Sequence, residues 1–215
     1  MEQANLYPVC LKLEGQKCLV VGGGKVAQRK VAGLKRCGAA IFLVSPRLTP
    51  VLARAAARGD FQYFRRGFEE RDLEGMRLVI AATDNRALNA QIARMCEERG
   101  ILVNVADNPA LSTFFVPAYF HRGPLCISIS TGGKNPLLAR RLREFLQTEI
   151  GPEFGELALL LGALREQIRV KIPDQFQRQK VWEKILTRDI INQLKGGNIE
   201  LLKEQVEACL SLLLE

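Results

Sequence analysis

A single histidine, His121, among 215 residues removes the usual route to a zinc centre built from several imidazoles. The cysteines offer no substitute. Cys10, Cys18, Cys37, Cys96, Cys126 and Cys209 are scattered and contain no C-x-x-C pair, so neither a metal knuckle nor a disulfide framework is indicated. Several lie in apolar stretches such as "CLVVG" and "LCISIS", where a reduced thiol is expected to pack as a small hydrophobe. No metal site is expected. No apolar run reaches the roughly 18 residues that span a bilayer. The opening "MEQANLYPVCLKLEGQ" lacks the basic start and apolar stretch of a signal peptide, so the expected location is the cytoplasm. Helix-turn-helix, zinc-finger and RNA-binding signatures are missing too, and no internal repeat or low-complexity stretch stands out.

What is present fits a globular chain with one sizeable core, or one domain and a smaller appendage: 47% of residues are hydrophobic and 25% charged. The net charge of +8 suits an acidic partner, whether nucleic acid, an anionic lipid surface or a polycarboxylate small molecule.

"KCLVV" (Lys17 to Val21) is a short apolar run ending in glycines and reads as a buried strand. "KVAQRKVAGLKRCGA" has helical spacing and stops near Gly38. "AIFLVS", "FQYFRR", "LVIAATD" and "ILVNVAD" read as further strands, with helices over "TPVLARAAARGD" and "NRALNAQIARMCEERG". Such alternation predicts βαβ units and a doubly wound, Rossmann-like parallel sheet over residues 1–112. The pattern then changes. "STFFVPAYFHRGPLCISISTGG" holds two strands joined at "HRGP", and "NPLLARRLREFLQTEIG" a helix with Asn135 as cap and Pro136 in its first turn. Residues 113–150 thus form a small strand–helix segment. Residues 151–215 are expected to be helical, with Phe154, Leu157, Leu161, Leu164 and Ile168 on one face of the first helix.

"VVGGGKVAQ" fits G-x-G-x-x-A through Gly22, Gly24 and Ala27, with Gly23 between. In a dinucleotide fold the first glycine permits the turn and the second lets the pyrophosphate approach. The small third residue brings helix and strand together, and the helix start offers its N–H groups to the phosphates. Three glycines alone often mark only a turn; the setting between first strand and first helix gives the pattern its meaning. No acid ends the second strand to bind ribose hydroxyls. "LVSPR" places Ser45, Pro46 and Arg47 there, leaving NAD against NADP open. The other strand ends present Thr83, Asp84 and Asp107. Asp84 is equally readable as a helix cap, and Asp107 as part of an Asp-Asn-Pro turn.

In order and spacing, "LVVGGGKVAQRK", "IAATDN", "VNVADNP", "STFFVPA" and "RGPLCISISTGGKNPLLARRLRE" resemble the siroheme synthase and precorrin-2 dehydrogenase family, from about Leu6 to Trp182. The resemblance implies a Rossmann domain, a dimerisation segment over 113–150, a helical C-terminal domain and a homodimer. It also implies oxidation of precorrin-2 to sirohydrochlorin with NAD, accompanied in some members by iron insertion. Asp107 takes the position of the family's general base. Lys25, Val26, Pro46 and Arg47 fall on its cofactor-binding positions. A tetrapyrrole with eight carboxylates then accounts for the positive charge without nucleic acid or membrane. Arg29, Lys30, Arg122, Lys134, Arg140 and Arg141 are candidate partners for those carboxylates, each equally readable as a solvated charge. Thr131, with the backbone of Gly132 and Gly133, completes the expected substrate-binding set. Thr131 stands where some members carry a phosphorylated serine. The sequence ends at Glu215 without the methyltransferase domain fused to some relatives, so precorrin-2 is expected from another protein.

The competing reading is a regulatory module that binds a dinucleotide or tetrapyrrole without catalysis. A carboxylate such as Asp107 argues against it, because a sensor needs the glycine loop but no base. A short-chain oxidoreductase lacks its Y-x-x-x-K pair after the sheet.

Overall fold

β1 (Lys17–Val21) sets out the logic of the first half of the chain. Alternate side chains of a strand face opposite ways, and here both faces are buried. Cys18 and Val20 join the core beneath α1 (Lys25–Arg36), with Ala27, Val31 and Leu34. Leu19 and Val21 join the opposite core with Ile92, Ala93 and Cys96 of α3 (Arg86–Glu98). The remaining elements are β2 (Ala40–Val44), α2 (Pro50–Ala57), β3 (Gln62–Phe64), β4 (Leu78–Ala81) and β5 (Leu102–Val105). The five strands are all parallel in the order β3-β2-β1-β4-β5. That is a doubly wound sheet whose strand order reverses between β1 and β4.

The computed structural model describes residues 6–187 together with Leu194 and Glu204. The chain divides into two compact units that meet in sequence between Val116 and Pro117. The sequence pattern had ended the first region at 112. Residues 113 and 114 stay with it because they line the open edge of β5: the Thr113 amide donates to the Val103 carbonyl at 2.9 Å, and the Asn104 side chain to the Phe114 carbonyl at 3.1 Å.

The second unit begins with an antiparallel hairpin, β6 (Ala118–Arg122) and β7 (Leu125–Ile129). It continues through α4 (Pro136–Glu149), α5 (Glu153–Lys171) and α6 (Gln175–Ile185). Asn135 caps α4 through the Leu138 amide at 2.9 Å, with Pro136 in the first turn as expected. Gly155 is needed for close approach, since a Cβ there would lie 2.5 Å from the Arg122 carbonyl oxygen. Leu157, Leu164 and Ile168 are buried with Val181 and Ile185, while Phe154 and Leu161 are half-buried around them. The expected dimerisation segment and the start of the expected helical domain therefore belong to one compact unit. The expected helical region beyond 187 lies outside the described residues, as does Cys209, apart from Leu194 and Glu204.

Cys126 and His121 depart from expectation. Cys18 and Cys96 are buried, and burial pushes their thiols up to about 11, so they act as inert hydrophobes. Cys126 is exposed instead: β7 is covered on one face only, and Cys126 points outward as Ser128 does. His121 lies within β6 rather than in the turn and stacks edge-on with Tyr119 at 5.5 Å. Among the described residues no helix is long and apolar enough to cross a membrane.

Ile80 is 2% exposed at the centre of β4, beneath α1. Truncation to alanine removes three buried carbons from a packed layer, so Ile80→Ala should cost about 2–5 kcal/mol, read from the urea midpoint.

Candidate functional site

At the carboxyl end of β1 the backbone leaves no room for side chains. A Cβ on Gly22 would lie 2.2 Å from the Ala82 carbonyl oxygen, and one on Gly23 only 1.9 Å from that of Arg47. Gly22 also has φ of 119°, a conformation open to glycine. Gly24 differs, because a Cβ there would meet nothing within 4 Å. Gly22 and Gly23 are thus demanded by the fold. Gly24 opens a space that no protein atom fills.

That space lies at the start of α1. Gly24 is its cap residue and supplies no side-chain bond, and the first turn carries no acid. The first amide inside the helix to find a helical carbonyl is that of Gln28, which donates to Gly24 at 3.0 Å. The N–H groups of Lys25, Val26 and Ala27 precede it, as a helix start requires. Around this point a cleft of about 630 Å³ is lined by Gly22 to Gly24, Ser45 to Thr49, Arg66 to Phe68, and Ala82 to Asn85. It lies at the strand-order reversal, where open parallel sheets bind ligands. An uncapped helix start beside an empty glycine fits the pyrophosphate of a dinucleotide.

The remaining predicted residues fall into distinct roles. The Ser45 hydroxyl donates to the Arg47 carbonyl at 2.7 Å and so shapes the loop rather than pointing freely into the cleft. Pro46 and Arg47 are exposed on its lining, and the Arg47 guanidinium has no partner among the described residues. Asp84 is exposed on the lining but does not cap α3; Asn85 does, accepting from the Leu88 amide at 3.0 Å. Its neighbour Thr83 donates to Asn89 at 2.7 Å.

Asp107 follows β5 and is exposed, with φ of 60°. Among the described residues it is the one non-glycine with positive φ. For a residue with a side chain that backbone costs on the order of 1 kcal/mol, less for aspartate than for most, and the surrounding loop has to impose it.

Sequence reading missed several parts of the site. Thr49 donates its hydroxyl to Gln28 at 2.9 Å and its amide to the Gly23 carbonyl at 2.9 Å, tying α2 to the glycine loop. Buried Asn89 holds the Thr83 loop through its side-chain amide at 2.9 Å. Its spacing of four from the cap Asn85 was the available signal. Arg66 lines the cleft beside Phe68, but Asp72 takes both its terminal nitrogens at 2.8 and 2.6 Å. Burial alone would raise the Asp72 carboxyl; the Arg66 hydrogen bonds and the Glu69 amide outweigh it and hold Asp72 below its ordinary value.

The residues expected to meet substrate carboxylates are mostly engaged already. Lys30 donates to Asn104 at 2.9 Å, and burial, with Arg29 nearby, lowers its pKa. Arg122 caps the end of α4 by donating to the Ile150 and Gln147 carbonyls, both at 2.8 Å. Arg140 and Arg141 both bind Glu144. Arg29 and Lys134 alone of the six have no partner among the described residues. In the second unit the Thr131 hydroxyl exchanges 3.1 Å hydrogen bonds with the Asn135 backbone, and Gly132 and Gly133 turn the chain with φ of 61° and 79°.

The fold and the glycine loop together define a Rossmann-type dinucleotide-binding protein. Comparison with known proteins agrees: residues 9–118 match a family described as "Putative NAD(P)-binding". Residues 122–148 match "Sirohaem biosynthesis protein central", and 153–210 match "Sirohaem synthase dimerisation region". The chain belongs to the siroheme synthase and precorrin-2 dehydrogenase family. It is 39% identical over 206 residues to a siroheme synthase of Thioalkalivibrio sulfidiphilus, an alignment covering 96% of this chain and 42% of that protein. With a siroheme synthase of Methylococcus capsulatus it shares 44% identity over 182 residues, or 85% of this chain and 38% of the relative. The chain thus spans less than half the length of these relatives. A solved structure titled "SirC, precorrin-2 dehydrogenase" superposes with a TM-score of 0.72 at 28% identity, covering 94% of this chain and all of that one.

Two outcomes follow from this geometry. Gly24→Ala should fold with unchanged Tm yet bind dinucleotide at least about tenfold more weakly by calorimetry, whereas Gly22→Ala should fail to fold. Because folding depresses Asp72, its contribution is complete above the ordinary aspartate range and is lost as pH falls through the lower folded value. Asp72→Asn should therefore be less stable than wild type by about 1–2 kcal/mol near neutrality, with the two urea midpoints converging below about pH 4.

Proposed function

We propose that the protein is an NAD-dependent dehydrogenase that oxidises precorrin-2 to sirohydrochlorin, acting as a homodimer in the cytoplasm. The observation that carries this reading is Asp107, a carboxylate held in a left-handed backbone at the carboxyl end of β5, in the unit that bears the glycine cleft. A module that only senses a dinucleotide has no use for an aspartate so constrained. The solved structure it resembles is titled as a precorrin-2 dehydrogenase, and the similar sequences are named siroheme synthases.

Oxidation removes two electrons and two hydrogens from the tetrapyrrole, one leaving as hydride and one as a proton. The bound nicotinamide supplies the hydride acceptor. The chain supplies the rest. The N–H groups of Lys25, Val26 and Ala27 would hold the pyrophosphate, with the open space at Gly24 to admit it. Pro46, Arg47, Thr83 and Asp84 of the lining would hold the rest of the dinucleotide. Arg66 is already paired by Asp72, so among the described residues Arg47 is the one uncommitted cation on the lining. NAD is proposed as the acceptor, as the family resemblance implies. The Asp107 carboxylate takes the proton that leaves as hydride transfer proceeds. Of the predicted substrate contacts, Arg29 in the first unit and Lys134 in the second keep side chains without a partner among the described residues, while the Gly132 amide donates to Ser130, Arg122 to the end of α4 and Thr131 to Asn135.

The homodimer is supported by the dimerisation-region match at 153–210, which lies beyond the 113–150 segment expected to carry that contact.

Anaerobic turnover of precorrin-2 with NAD, followed by sirohydrochlorin absorbance, tests the reading, and ferrous or cobaltous ion added afterwards tests for metal insertion. Asp107→Ala should lower turnover by about 100-fold or more while binding NAD as wild type does. Undiminished turnover removes Asp107 from the chemistry; dinucleotide binding without turnover in wild type favours the regulatory module.

A further inference from the structure

A single hydroxyl, that of Ser112, grips the chain on both sides of Asp107. Its Oγ accepts the Val105 amide at 3.0 Å and donates to the Asn108 carbonyl at 3.0 Å. Val105 ends β5 two residues before Asp107, and Asn108 follows it directly. The Asn108 amide turns back to the Val105 carbonyl at 3.3 Å, closing a tight loop with Asp107 at its tip. The Ser112 amide, through a single helical turn at Pro109–Leu111, donates to the Pro109 carbonyl at 3.1 Å and fixes where the hydroxyl stands.

The need for this arrangement comes from the sheet. β5 pairs with β4 on one side only, so its outward amides have no strand to meet. Side chains take that place: Thr113 Oγ1 accepts the Val103 amide at 2.8 Å and Ser112 Oγ the Val105 amide. The returning segment is pinned further by Asn104, which donates to the Phe114 carbonyl while accepting from Lys30 of α1. Of these anchors, Ser112 alone spans Asp107.

We propose that Ser112 is a positioning residue for the dehydrogenation: it holds Asp107 in the left-handed conformation that presents its carboxylate to the substrate. This rests on the reading of Asp107 as the base. Ser112 touches neither substrate nor dinucleotide in this role. Its effect reaches the reaction through the backbone at Asp107.

The test uses the full chain with Ser112→Ala, Ser112→Thr, Asp107→Ala and the Ser112→Ala/Asp107→Ala double variant. Ser112→Ala, which removes both hydrogen bonds of the hydroxyl, should lower kcat at least about tenfold, with KM for precorrin-2 and for NAD within about twofold of wild type. Ser112→Thr, which keeps the hydroxyl, should restore kcat. Added to Asp107→Ala, the serine change should lower kcat no further. An undiminished kcat in Ser112→Ala overturns the proposal. So does a further loss in the double variant, which would mean that Ser112 acts other than through Asp107. A second measurement, independent of activity, is hydrogen exchange of the Val105 amide, expected to quicken about tenfold in Ser112→Ala and to recover in Ser112→Thr. If wild type fails to oxidise precorrin-2, the functional reading falls, and the Val105 amide still decides whether Ser112 holds the loop; unchanged exchange overturns it.

Discussion

Where β1 meets the loop after β4, the two backbones approach so closely that a side chain on Gly22 would stand 2.2 Å from a carbonyl oxygen. Everything at the carboxyl edge of the sheet depends on that contact. It lies at the point where the strand order reverses, which is where a crevice can exist. It aims α1 so that the space above Gly24 stays empty and the unpaired N–H groups of the first turn border it. Thr49 then closes the second side of the loop through Gly23 and Gln28. The same amino acid serves two purposes within three positions: Gly22 and Gly23 let backbone meet backbone, and Gly24 leaves room for a ligand.

The outer edge of the sheet follows a different rule. β5 is an edge strand, and its outward amides would be unsatisfied without the hydroxyls of Ser112 and Thr113. Satisfying them folds the chain back over itself and forces Asp107 into a backbone that few residues with side chains adopt. Finishing the sheet edge and turning the backbone at Asp107 are thus one problem with one solution. The cations show a similar economy of roles. Lys30, Arg66 and Arg122 carry charge, yet each is committed to an amide, a carboxylate or helix carbonyls within the chain. The net charge of +8 consequently overstates what is free to meet an acidic ligand.

The doubly wound sheet was legible in the sequence because its strands are short apolar runs and its helices carry apolar residues every three or four positions. β1 was read to the residue as Lys17–Val21. The Asn135 cap and the adjacent Pro136 were legible because both act through their own local backbone. Cys126 was misread since an alternating strand does not reveal which of its faces is covered. Asp84 was considered as a cap where Asn85 serves, because both side chains can accept from a helix amide and only backbone geometry separates them.

The sequence alone determined the order of elements, the glycine loop between the first strand and helix, and the carboxylate after the fifth strand. These are properties of neighbours in the chain, set by periodicity and by what glycine and proline permit. Only the tertiary structure decided which residues are already spent. That Asp72 holds Arg66, that Asn104 holds Lys30 and that Ser112 brackets Asp107 depends on pairings across 6, 74 and 7 residues. Hydrogen bonds form between atoms brought within about 3 Å, and a separation along the chain does not say which atoms those are.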